Sequence, residues 1–236
     1  MKKYFKIITL SLSLTILLAN HVFAGAASGR PTSYLVTAHK LEYCAGASTL
    51  ASCVDSTVVG ENTSGTEMDL SDSSSAVSFG NAGLLEVGKT YTHAQITITR
   101  LFKVGGSLLT TGGSAATCQT GGTAGTEDAG GATNGTSEAA QAMAAPDSTT
   151  EDNDLNSITA IGGTGTAGTI ADDENFLQFR WELSQSFTPQ AGKIPNMAIS
   201  FDLSGALVFN DGGSGDGACD GDDFYPGEPR ITNTFN

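Results

Sequence analysis

Basic residues are scarce in this chain: 11 lysines and arginines stand against 25 aspartates and glutamates, a formal charge of −14. Such a surface repels phosphate backbones and anionic lipid, which argues against nucleic acid or a membrane surface as partner. Histidine is almost absent. Beyond His21 there are only His39 and His93, both inside predicted strands, and no G-x-S-x-G elbow occurs, so nucleophilic catalysis through a histidine base has no support. Trp181 is the one tryptophan, and the lack of an aromatic-rich cleft counts against a glycoside hydrolase, although 25 acids offer many carboxylate pairs. The C-x-x-C and C/H spacings of zinc sites are missing too. Helical periodicity is confined to "SEAAQAMAAP", residues 137–146, a turn or two at most.

What is present begins with an export signal. Lys2, Lys3 and Lys6 precede an apolar run over residues 7–18, and Val22 and Ala24 supply small residues before Gly25. Residues 1–24 read as a secretory signal peptide cut after Ala24, the run being too short for a spanning helix of about 20 residues. Cleavage removes three basic residues and no acids, which takes the formal charge to −17. The expected location is secreted, at the cell surface or in the periplasm, with no anchor and no membrane contact after cleavage. In that oxidising setting Cys44, Cys53, Cys118 and Cys219 favour disulfides. The short Cys44 to Cys53 spacing makes that pair the first choice, and Cys118 with Cys219 then follows by elimination, although four cysteines allow three pairings.

Strand signals dominate the remaining residues. "SYLVTAHKLEYC" sets Leu35, Thr37, His39, Leu41 and Tyr43 on one face, and "THAQITITRLFKV" groups Ala94, Ile96, Ile98, Phe102 and Val104 around Arg100. "FLQFRWELSQSF" alternates Leu177, Phe179, Trp181, Leu183 and Phe187 against Gln178, Arg180, Glu182 and Ser184. "NMAISFDLSGALVF" keeps Met197, Ile199, Phe201, Leu203, Leu207 and Phe209 in phase, with Gly205 as a bend. Shorter candidates cover residues 57–59, 67–70 and 230–235. One apolar and one polar face per strand is the pattern of antiparallel sheets, and two such sheets cover each other. The expected fold is all-β, an antiparallel β-sandwich of the immunoglobulin-like or jelly-roll kind. Its plan is a flexible linker over residues 25–32 and one domain over residues 33–236.

Between residues 105 and 175 the composition shifts to Gly, Thr, Ala, Ser and Asp. So few large apolar groups predict long surface loops, with one hairpin around "SITAIGG". "GTGTAG", residues 163–168, matches G-x-G-x-x-G by accident, because no amphipathic helix follows it.

"LLEVGKTYTHAQITI", residues 84–98, resembles the L-x-x-G-x-x-Y strand opening that immunoglobulin-like and fibronectin-like sandwiches use as a tyrosine corner. The resemblance implies structural roles for Leu85, Gly88 and Tyr91, the Tyr91 hydroxyl pinning a crossover loop. The apolar phase after Tyr91 departs from the fibronectin pattern, since His93 and Gln95 occupy it, and is more similar to secreted bacterial β-sandwich domains whose "GxYTxxxI" opens a strand.

"NDGGSGDGACDGDD", residues 210–223, holds Asp211, Asp216, Asp220, Asp222 and Asp223. No start within it supplies the oxygens of an EF-hand at their positions. An irregular Ca²⁺ site is one reading, since clustered carboxylates repel until a cation joins them; a solvated acidic turn is the other. With no catalytic motif, the expected function is that of an exported, non-enzymatic structural protein. Its form would be a self-assembling filament or surface-layer subunit whose N-terminal strand adds to a neighbour's sheet. The layout is similar to that of camelysin and TasA-type exported filament subunits, a likeness of plan that implies a homopolymer. The alternative is a soluble module that binds a cell-surface glycan or another ligand through its long loops.

Overall fold

The computed structural model describes residues 27–72, 79–123, 129–135, 138–144, 156–161, 176–193, 195–211, 216–219, 223–227 and 229–235. Its regular structure is almost wholly antiparallel sheet. The larger sheet runs β10 (Asn156–Ile161), β11 (Phe176–Phe187), β4 (Tyr91–Thr99), β2 (Ser33–Ala45), β5 (Leu101–Gly105) and β9 (Gln141–Ala144), and β3 (Thr57–Asp69) pairs with the other flank of β2. A second sheet runs β1 (Ala27–Gly29), β13 (Leu207–Asn210), β14 (Asp223–Pro226), β8 (Gly130–Asn134), β7 (Thr117–Gly122) and β6 (Ser107–Leu109). A third has two strands, β12 (Met197–Asp202) and β15 (Arg230–Phe235). These layers share one apolar cluster, to which strands of all three contribute, so the fold is an all-β sandwich.

The β11 alternation stands as the sequence predicts, with Leu177, Phe179, Trp181 and Leu183 buried and Glu182 and Ser184 exposed. The exception is Arg180, which is buried on the opposite face. β2 corrects the expected phase. Tyr34, Val36 and Ala38 face the core, not Leu35, Thr37 and His39, whereas Leu41 and Tyr43 point inward as expected. A bulge at His39, between the pairs Ala38 with Ile98 and Lys40 with Thr97, adds one residue and flips the faces.

The apolar run over residues 197–209 divides into β12 and β13. A turn at residues 203–206, closed by Ala206 N–H donating to the Leu203 carbonyl (3.1 Å), carries the chain from the two-stranded sheet into the six-stranded one. Residues 105–175 depart further from the expected loops, since five strands lie there: β6, β7, β8, β9 and β10. Of the expected hairpin around "SITAIGG" only one strand forms within this span, β10, and its partner is β11 beyond it. Residues 141–144 form a strand, not a helical turn, because the open flank of β5 offers ladder partners and Met143 a fully buried position. The G-x-G-x-x-G match lies outside the described residues.

Both disulfides join the expected pairs, Cys44 with Cys53 and Cys118 with Cys219, with Cα separations of 5.2 and 5.3 Å. They set the chain in oxidising surroundings, extracellular or periplasmic. No helix among the described residues is long and apolar enough to cross a membrane.

Candidate functional site

The N-terminal strand meets the rest of the fold at the rim of the six-stranded sheet. β1 pairs antiparallel with β13, Ala27 opposite Phe209 and Gly29 opposite Leu207. On its far side stands β6, the other end of the same sheet: a Cβ on Gly29 would lie 2.5 Å from Leu108 Cδ2. Three small residues thus fill a slot along the edge of β13, against the Leu108 side chain, and make no ladder pair with β6. Gly106 lets the chain leave that slot closely packed, since a Cβ there would meet Leu207 Cδ2 at 2.6 Å and the Pro31 Cα at 3.2 Å. Thr32 then fastens the crossover, its N–H and hydroxyl both donating to the Gly105 carbonyl (2.8 and 3.0 Å). From Ser33 onward the chain lies inside the larger sheet, with β3 on one flank and β4 and β5 on the other.

The aspartates of residues 210–223 are only partly brought together. Asp211 is buried, its Oδ2 accepting from the Gly217 N–H (2.9 Å), and Asp216 Oδ1 accepts from the Ala218 N–H (2.9 Å). Thr110 donates to the Gly217 carbonyl (2.5 Å) and Ser114 N–H to that of Asp216 (2.7 Å). These bonds, with the Cys118 to Cys219 bridge, fold the loop over β6 and β7 and occupy carboxylate oxygens as turn braces. Asp220 and Asp222 lie outside the described residues, as does the side chain of Asp223, whose backbone pairs with Asn210 and Gly131. Among the described residues, no three His, Cys, Asp or Glu side chains come together as a metal site.

The corner residues occupy structural positions. Tyr91 is fully buried, and its hydroxyl accepts from the Glu86 N–H (3.0 Å) and meets Thr57 Oγ1 (2.8 Å), which ties the strand opening to the loop before it. Leu85 is buried, and Gly88, at φ +83°, donates its N–H to the Pro189 carbonyl (3.0 Å). Ala82, Leu85 and Val87 face Pro189, Gly192 and Lys193 across an open groove of about 310 Å³. Lys89 bridges Asp55 and Glu86, both at 2.9 Å, and its hydrogen bond holds the Glu86 carboxyl below the usual carboxylate range.

One polar cluster has no counterpart in the motif reading. On the outer face of the larger sheet, Gln95 Oε1 accepts from Arg180, and Gln95 Nε2 donates to Glu42 (3.1 Å), which also pairs with Lys40 (3.0 Å). Arg180 further donates to the Leu50 carbonyl (2.5 Å) in the loop that the Cys44 to Cys53 disulfide closes. Burial under that loop lowers the affinity of Arg180 for its proton, with Glu42 opposing. Each charged head has its partners, so the cluster is a satisfied polar layer and not an open reaction centre. Burial likewise lowers the pKa of His93, two ladder positions away.

No family model matches the chain, and neither the curated proteins nor the solved structures contain a significant match.

Proposed function

We propose that this chain is an exported, non-enzymatic structural subunit that builds extracellular filaments or a surface layer by lending its N-terminal strand to a neighbouring copy. The observation that carries this reading is the slot along the edge of β13, filled by a three-residue strand at the start of the described chain. Because the slot is the same in every copy, a neighbour's β1 would make the same contacts as the chain's own, and concentration decides between the two states. The longer candidate donor, residues 33–45, is engaged on both flanks, so the exchangeable part is Ala27–Gly29 with the residues before it. Export fits the two disulfides and the acidic surface.

Negative-stain electron microscopy of residues 25–236, in millimolar calcium and beside a chelated control, tests the reading. Filaments or sheets in either condition support it, and a calcium requirement would make the aspartate loop a cation site. Deleting residues 25–29 should remove polymers while near-ultraviolet circular dichroism stays that of the folded chain, because the strand that would be lent is gone while the core strands keep their partners. Uniform small particles in both conditions would end the proposal. They would favour the ligand-binding reading, whose best support is the groove between residues 82–87 and 189–195.

A further inference from the structure

The two disulfides stand in different surroundings. Cys118 and Cys219 are both buried and belong to the apolar cluster of the core. Cys44 is buried outside that cluster, and its partner Cys53 is partly exposed, in a loop whose Gly46, Ala47, Thr49, Ala51 and Ser52 are open to solvent. That loop holds its own shape. Ala45 N–H donates to the Val54 carbonyl (3.0 Å), Val54 N–H to Ser48 Oγ (2.9 Å), and Thr49 and Ser52 exchange backbone bonds (2.9 and 3.1 Å). Opening the Cys44 to Cys53 bond therefore leaves the two sulfurs close together and the sheet beneath intact.

Cys44 lies directly opposite His93 of β4, and His93 opposite Glu182 of β11, which is exposed. Residues so paired share a face and hold their Cβ atoms about 4.5–5.5 Å apart. Thr92 Oγ1 meets His93 Nδ1 (2.9 Å), while Nε2 has no hydrogen-bond partner among the described residues. Arg180 reaches the same loop. Its acceptors, the Gln95 side chain and the Leu50 carbonyl, are neutral, and the nearby Glu42 pairs with Lys40 (3.0 Å). A thiolate on Cys44 would form beside an imidazole and a guanidinium, surroundings that favour the thiolate and make its sulfur a good leaving group.

We propose that Cys44 and Cys53 form a thiol-exchange site, at which an external thiolate attacks Cys53 Sγ and Cys44 departs. The incoming sulfur bonds to Cys53 Sγ, the S–S bond breaks, and its electron pair stays on Cys44 Sγ as a thiolate. The incoming thiol is thereby oxidised and Cys44 reduced. Cys44 then attacks Cys53 Sγ and expels the first thiolate, or a second external thiolate attacks the captured sulfur. The second course releases a disulfide of the two external thiols and leaves Cys53 as a thiolate too. The attacking thiol belongs to another molecule, because all four cysteines of the chain are paired. The site lies on the larger sheet, away from the β1 slot, and does not rest on the assembly reading.

The test incubates residues 25–236, both disulfides formed, with millimolar reduced glutathione, quenches with excess alkylating agent and maps the peptides by mass spectrometry. The Cys44 to Cys53 bond should open at least about tenfold faster than the Cys118 to Cys219 bond. The trapped intermediate should carry glutathione on Cys53 and the alkyl group on Cys44. His93→Gln should slow the opening severalfold. Added to Cys53→Ser, it should also move the ultraviolet thiolate absorbance of Cys44 to higher pH, a titration that a merely structural role for His93 would leave in place. Equal opening of the two bonds in the folded chain, or glutathione trapped on Cys44, overturns the site. An unchanged rate and titration in a folded His93→Gln chain overturns the leaving-group assignment. If His93→Gln does not fold, the rate ratio and the trapped position in the parent decide alone. Reduced thioredoxin in place of glutathione separates the sources of the thiol: faster opening assigns a protein dithiol as the partner, slower opening a small thiol, and both keep the site.

Discussion

The strands β2, β4 and β11 and the strands drawn from residues 105–144 reach the same kind of ladder by different means. The first group buries Trp181, Tyr43, Tyr91, Leu177 and Phe179, whose size alone accounts for cohesion. Along β7 and β8 the buried positions are Cys118, Thr120 and Ala132 with glycines beside them, small groups that remove little apolar surface from water. What holds that region is a covalent tie, Cys118 to Cys219, and hydroxyl bonds such as Thr120 Oγ1 donating to the Ala139 carbonyl (2.8 Å). The first group is packed, and β7 and β8 are fastened, although β13 and β14 of the same sheet bury Leu207, Phe209 and Phe224.

The strongest way to break that contrast is to cut the tie. Cys118 and Cys219 lie 101 residues apart, and closing a loop of that length restricts the unfolded chain by about 4.7 kcal/mol, against about 2.7 kcal/mol for the nine-residue spacing of Cys44 and Cys53. The double variant Cys118→Ser, Cys219→Ser should therefore cost more in urea melts than Cys44→Ser, Cys53→Ser. Hydrogen exchange should then rise first in β7 and β8 and leave β4 and β11 protected. If both regions exchange together, the division is unreal. On the packed side, Trp181→Phe withdraws the Nε1–H that donates to Asn233 Oδ1 (2.6 Å), and Asn233 is itself fully buried. A cavity and an unsatisfied acceptor together should cost about 2–4 kcal/mol in the same melts, with β7 and β8 exchange unchanged at matched stability.

The contrast also explains what could be read from residues alone. β11 was legible because its apolar and polar residues alternate without interruption, and β15 because it is bounded by turn residues. The face of β2 was half legible: whether an extra residue at His39 is looped out depends on how β4 lies against it, which periodicity does not encode. Residues 105–144 read as loops because glycine, threonine and alanine carry no apolar period, and their burial is supplied by neighbours such as Met143, whose Cε would lie 2.2 Å from a Cβ on Gly130. The Arg180, Gln95 and Glu42 layer sits on positions that alternation assigns to solvent; a disulfide loop from elsewhere in the chain covers them. Of the aspartate loop, composition revealed the acids but not that Asp211 is buried as a brace.

The smallest expected effect lies at the outer edge of the packed group, where polar bonds replace packing. Burial pushes the Asp69 carboxyl upward, but the Ser71 hydroxyl (2.7 Å), the Ser71 N–H (2.9 Å) and the Tyr34 N–H (3.2 Å) all donate to its Oδ1, and the net displacement is downward. A carboxylate depressed in the folded state stabilises the fold above its unfolded value of about 3.9, and that contribution is lost as pH falls through the folded value. The bonds join the end of β3 to the start of β2, so their loss should fray that edge and leave the Trp181 core intact. Asp69→Asn should therefore lower the urea midpoint slightly at pH 7, and the difference from the parent should shrink below about pH 4. A difference that persists at low pH would mean that the site depends on the shape of the side chain and not on its charge. The edge would then be packed like the rest of its sheet.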